Sequence, residues 1–111
     1  MKKSSSHFMI HGVDELLQQV GQNIKIARVR RRITIKELAS RVHVDERTIS
    51  RMEKGDSSIN FKNLVSVLIV LNIADSVTAL AHPDHDDIGK ALDFQKHPKR
   101  VRTFDKLSDD F

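Results

Sequence analysis

With 111 residues and 39% apolar side chains, the chain has enough hydrophobic material for one modest core and little for a second. It contains no cysteine, tryptophan or tyrosine, which excludes disulfides, thiolate nucleophiles, iron–sulfur clusters and zinc knuckles. The formal net charge of +4 and a pI near 9.6 suit nucleic acid, an anionic membrane surface, or neither.

The N-terminal stretch 1–12 has a serine run and no sustained period, and is expected to be a flexible leader outside the folded domain. No signal-peptide h-region follows it. The longest apolar run, 64–71, is broken by Ser66 and falls far short of the roughly 20 residues of a membrane span, so a cytoplasmic location without membrane contact is expected.

From Val13, the residues Leu17, Val20, Ile24 and Ala27 recur at helical steps and predict a first helix to about Arg31. Gly21 weakens it by about 1 kcal/mol relative to alanine and predicts a bend or restart. Between Leu16 and Lys36 there is no acidic side chain, whereas Lys25, Arg28, Arg30, Arg31, Arg32 and Lys36 all fall in that window. Thr34-x-x-Glu37 reads as a capping box opening a second helix at about Ile35, with Leu38, Ala39 and Val42 facing inward. Asp45 is placed to cap a third helix from Glu46 to about Lys54, closed by Gly55. Asn60 caps a fourth, carrying Phe61, Leu64, Leu68 and Leu71, and a short fifth is predicted over Asp75 to Ala81. The expected fold is therefore all-α: a five-helix domain over 13–82, followed by a partly disordered C-terminal extension over 83–111.

The segment TIKELASRVHVDERTISRMEKG has the grammar of a helix-turn-helix. Ala39 is small where two helices cross, Val44 plugs the turn, and Ile49 and Met52 anchor the second helix. This leaves Glu46, Arg47, Ser50 and Arg51 outward as the expected base-reading residues. Arginine can bond both acceptors of guanine, glutamate accepts from cytosine or orients an arginine, and serine adapts to either. Arg30, Arg31, Arg32, Lys36, Thr48, Lys54 and Lys62 are candidates for phosphate contacts, each weighed against plain solvated surface.

Residues 21–72 resemble the XRE, or phage-repressor, family of helix-turn-helix regulators, on GQNIKIARVRRR, the TIKELA start, Ala39, Val44, Ile49 and the ending RMEKG. The resemblance implies an ion pair between Arg28 and Glu53. Two positions depart from the family pattern. Ile35 stands where a glutamine commonly bonds a phosphate and braces the recognition helix, and His43 replaces a common turn glycine, where a positive φ would carry strain.

After Pro83, Asp86-x-x-Gly89-x-Ala91-Leu92 followed by Pro98-Lys99-Arg100-Val101-Arg102 resembles HipB-like antitoxins that accompany HipA-like kinase toxins. That resemblance implies a homodimer that represses its own operon from a palindromic operator and binds the kinase. The alternative is a stand-alone phage-type or restriction-modification controller with no toxin partner. Phe61, Leu68, Ile69 and Leu71, with Val70 and Ile73 nearby, exceed what one core stripe requires. They are expected at a dimer or partner contact together with Ile88, Leu92, Phe94 and the terminal Phe111. His82-Pro83-Asp84-His85-Asp86-Asp87 contains metal-ligand types, but it has no partner cluster and reads as a solvated linker. No catalytic set, metal site or cofactor is expected.

Overall fold

The computed structural model describes residues 12–96, and the described residues are all helical. The leader up to residue 11, the basic stretch at Lys99, Arg100 and Arg102, and Phe111 lie outside the described residues. The chain divides into two compact units between Val77 and Thr78.

The first unit contains α1 (Val13–Arg30), α2 (Ile35–Val42), α3 (Glu46–Glu53), α4 (Phe61–Val70) and the start of α5 (Asp75–Thr78). Its core is Ile24 and Ala27 of α1, Leu38 and Ala39 of α2, Ile49 and Met52 of α3, and Val67 and Leu71 at the end of α4. α3 packs against both α1 and α2, and α2 also packs against α4. Three entry points use side-chain caps. Thr34 accepts from the Glu37 N–H at 3.0 Å while Glu37 accepts from the Thr34 N–H at 2.9 Å; Asp45 accepts from Thr48 N–H, and Asn60 from Asn63 N–H.

The exits of α1 to α4 also share one device. Arg32, His43, Gly55 and Asn72 take left-handed φ values of 55°, 60°, 79° and 62°. The next amide then reaches back five residues: Ile33 to Arg28, Val44 to Ala39, Asp56 to Arg51 and Ile73 to Leu68. At three of these ends the donor is apolar, and Ile33, Val44 and Ile73 fold back onto the core. Only one of the four positions is glycine, so the other three carry the steric strain of a Cβ in this region.

Several expectations are corrected. α1 runs through Gly21 without interruption. Its inward positions are Gly21, Ile24, Ala27 and Arg28, while Val20 is 43% exposed, because a glycine and a paired arginine fill places that an apolar-only reading assigns to valine. Leu71 is completely buried in the core of its own domain and cannot serve a dimer contact. α5 stops at Thr78 rather than Ala81. Ala81 has a φ of 52°, and His82, preceding a proline, takes the extended conformation that the pyrrolidine ring favours for its neighbour.

The second unit, from Thr78, holds a 3₁₀ turn (Pro83–His85) and a ten-residue helix, α6 (Asp87–Lys96), where a loosened pattern was expected. Asp86 sets its start by accepting the Gly89 N–H at 2.8 Å. The carboxylate lies so close over Gly89 that any Cβ there would collide with it.

Candidate nucleic-acid interface

α3 is eight residues long and its two faces differ in chemistry. Ile49, Met52 and Glu53 are buried, whereas Glu46, Arg47 and Arg51 are exposed and Ser50 is half-buried. The outward set is therefore polar and carries two guanidinium groups, neither within ion-pair distance of a carboxylate among the described residues although both act electrostatically on Asp45.

The inward set is fixed by a buried fork. Arg28 Nε donates to Glu53 Oε2 at 2.6 Å and Arg28 Nη2 to Glu53 Oε1 at 3.1 Å, with side-chain exposures of 10% and 5%. Arg28 Nη1 also donates to the Ile33 carbonyl at 2.8 Å. The guanidinium thus ties the end of α3 to α1 and to the turn that leads into α2, and no buried side-chain polar atom lacks a partner among the described residues. Hydrogen bonding to Glu53 raises the Arg28 pKa above its ordinary value, outweighing burial.

Two glycines set how closely α3 approaches α1. A Cβ at Gly21 would lie 2.5 Å from the carbonyl oxygens of Met52 and Glu53, and one at Gly55 would lie 2.7 Å from the backbone of Gln18. Composition gives Gly21 as a weak point of a helix, but in the fold it is the place where the end of α3 lies against the α1 backbone.

At the start of α3, Asp45 accepts both the N–H and the hydroxyl of Thr48 at 2.9 Å. These bonds hold the Asp45 carboxyl below its usual range, and the corresponding bonds from Thr34 do the same for Glu37. The Thr48 hydroxyl proton is thereby already committed to the cap, so Thr48 can meet a phosphate only by breaking that bond.

The remaining candidate cations, Arg30, Arg31, Arg32, Lys36, Lys54 and Lys62, are all exposed, and three of them line two different clefts. Lys54 lines a cleft with Gln18, Gln22, Lys25, Ile35 and Ser50. Arg30 and Arg31 line a different one, with Asn23, Ile26, Ala27 and Ile73. Arg31 also returns a donor to the Ala27 carbonyl at 2.8 Å. Lys25 and Arg30 are separated by roughly 140° around α1, as a five-residue step on a 3.6-residue turn requires. Gln18, Gln22 and Lys25 form a polar stripe at steps of four and three, a signal present in the sequence that attention to charge alone passes over.

Residues 24–75 match a family model described as helix-turn-helix. The match covers just under half of the chain, and this segment resembles XRE-type helix-turn-helix domains. The match runs from the inward face of α1 to the first residue of α5, and so contains the Arg28–Glu53 fork, the α2–α3 turn and the whole polar face of α3. Domains of this kind are the DNA-binding parts of transcription regulators. A comparison with curated proteins gives no match to the chain. No helix among the described residues is long and apolar enough to cross a membrane, and no group of three or more metal-ligating side chains is assembled there.

Proposed function

We propose that the protein is a homodimeric transcriptional repressor that reads a palindromic operator in its own promoter and serves as the autoregulating antitoxin of a HipA-like kinase. The observation that carries the DNA-reading part is the exposed face of α3, with Glu46, Arg47, Ser50 and Arg51 presented by a helix whose opposite face is locked by Arg28, Glu53 and two glycine contacts. In this reading Arg47 and Arg51 bond guanine edges, each bidentate pair contributing about 1–3 kcal/mol of discrimination, and Glu46 orients them or accepts from cytosine. Arg30, Arg31, Arg32, Lys36, Lys54 and Lys62 supply phosphate contacts that set register and salt dependence.

Dimerisation is supported by the outer face of α4, where Phe61 and Ile69 are 58% and 60% exposed beside the half-buried Leu68. The kinase-binding part is supported by the Asp86-x-x-Gly89-x-Ala91-Leu92 motif on α6, whose Ile88, Leu92 and Phe94 are exposed. The stand-alone controller is favoured by a family match that ends at residue 75, before the α6 motif and its apolar residues.

The test is a footprint on the protein's own promoter together with co-purification of a HipA-like kinase. Two protected half-sites about one helical turn apart, with preference at one base pair relaxed by Arg47→Ala or Arg51→Ala, are expected. No promoter protection, or a uniform loss on all sequences from both variants, overturns base reading by α3. Protection without kinase capture selects the stand-alone controller.

A further inference from the structure

α1, the start of α2 and the end of α3 enclose an open cleft of about 430 Å³, which contains two cations from different helices: Lys25 on α1 and Lys54 just past α3. The one carboxylate in its lining is Glu53, and both of its oxygens accept from Arg28. That pair cancels itself. Lys25 and Lys54 are exposed and make no ion pair among the described residues, so the cleft has an uncompensated positive charge.

Its position is as telling as its charge. Ser50 lines the cleft and belongs to the same polar face as Arg47 and Arg51. When α3 lies in a major groove, one DNA strand must therefore pass this flank. At the start of α2 the lining residue is Ile35, whose half-buried side chain packs on the core and has no polar group to offer a backbone phosphate. Directly across the cleft, α1 presents Gln22 and Lys25.

We infer that the cleft seats one phosphate of the DNA backbone between Lys25 and Lys54, with Lys25 supplying the side-chain contact that Ile35 cannot. This rests on the DNA-binding reading above. Lys25 is thereby a binding residue that fixes the angle at which α3 enters the groove, because it belongs to α1, which α3 is locked against. Its ammonium is a compact charge on a flexible stem and can close on a phosphate from the side without disturbing the Arg28 fork.

The experiment is a salt titration of binding to promoter DNA and to an unrelated duplex, using the full chain as wild type, Lys25→Ala, Lys25→Arg, Lys54→Ala and the Lys25→Ala/Lys54→Ala pair. Lys90→Ala on α6 serves as a control with the same change in net charge. The double variant is expected to flatten the slope of log K against log salt by about 0.9 on both DNAs, the value for one phosphate. Each alanine variant should lose part of this, and Lys25→Arg should keep it. Wild-type binding with Lys25→Ala indistinguishable from Lys90→Ala overturns the cleft assignment alone. A double variant that loses twice the single-phosphate slope overturns the shared seat, and a wild type that binds neither duplex overturns the DNA-binding reading itself.

Discussion

Arg28 and Glu53 are where the domain concentrates its electrostatic risk. Each guanidinium and carboxylate removed from water needs its partner, and truncating one strands the other in a nearly closed site. Arg28→Ala or Glu53→Ala alone should lower unfolding free energy by about 3–5 kcal/mol in denaturant melts. The double variant should recover part of that loss, and strictly additive effects would show that the two side chains do not act as a pair. The exposed caps behave differently. Asp45 and Glu37 titrate below their unfolded values, so the stability they contribute is fully present above the unfolded pKa of about 4 and is lost as the pH falls through the folded one. Asp45→Asn keeps an acceptor for Thr48 but removes the charge, so its melting temperature should fall less steeply than wild type on acidification from pH 5 to pH 2. Identical acid limbs would show that this carboxylate carries no linkage.

At the scale of helices, Gly21 sets propensity against packing. Alanine in the middle of an exposed helix gains about 1 kcal/mol over glycine. Here the added methyl meets two backbone carbonyls at 2.5 Å, and neither belongs to a flexible side chain. Overpacking of this kind costs about 1–3 kcal/mol, so Gly21→Ala should destabilise the fold and weaken operator binding together, as read by thermal melts and anisotropy. A stabilised variant would mean that α3 can retreat from α1 freely. The caps, the turn glycine and the boundaries of α2, α3 and α4 were legible because Thr34, Asp45, Gly55 and Asn60 act on backbone within a few residues of themselves. Gly21 was misread and Lys25 passed over because their roles depend on α3, which is remote in sequence. α6 was missed for a related reason: Asp86 caps it from within a run of carboxylates and histidines that reads as a linker.

At the scale of the molecule, a helix of eight residues spans only a few base pairs, and in the proposed dimer affinity for a long site comes from pairing two of them. The proposed contact is an α4 face that offers three apolar side chains, Phe61, Leu68 and Ile69, with Leu71 withdrawn into the core. Small interfaces associate weakly, so pairing in the proposed dimer is coupled to the operator and sharpens its response to protein concentration. The promoter footprint is accordingly expected to appear at both half-sites over one narrow concentration range. Half-sites that fill independently, with a monomer mass at every concentration, would remove the homodimer.

The close approach at Gly21 and Gly55 has a further consequence for the DNA. A helix held by backbone on one side and by a buried fork at its end has little freedom to tilt toward an imperfect site. The accommodation then falls to the duplex, whose readiness to bend or twist depends on its own base steps. In the proposed complex, operator bases that the protein never touches would thereby become part of what it recognises.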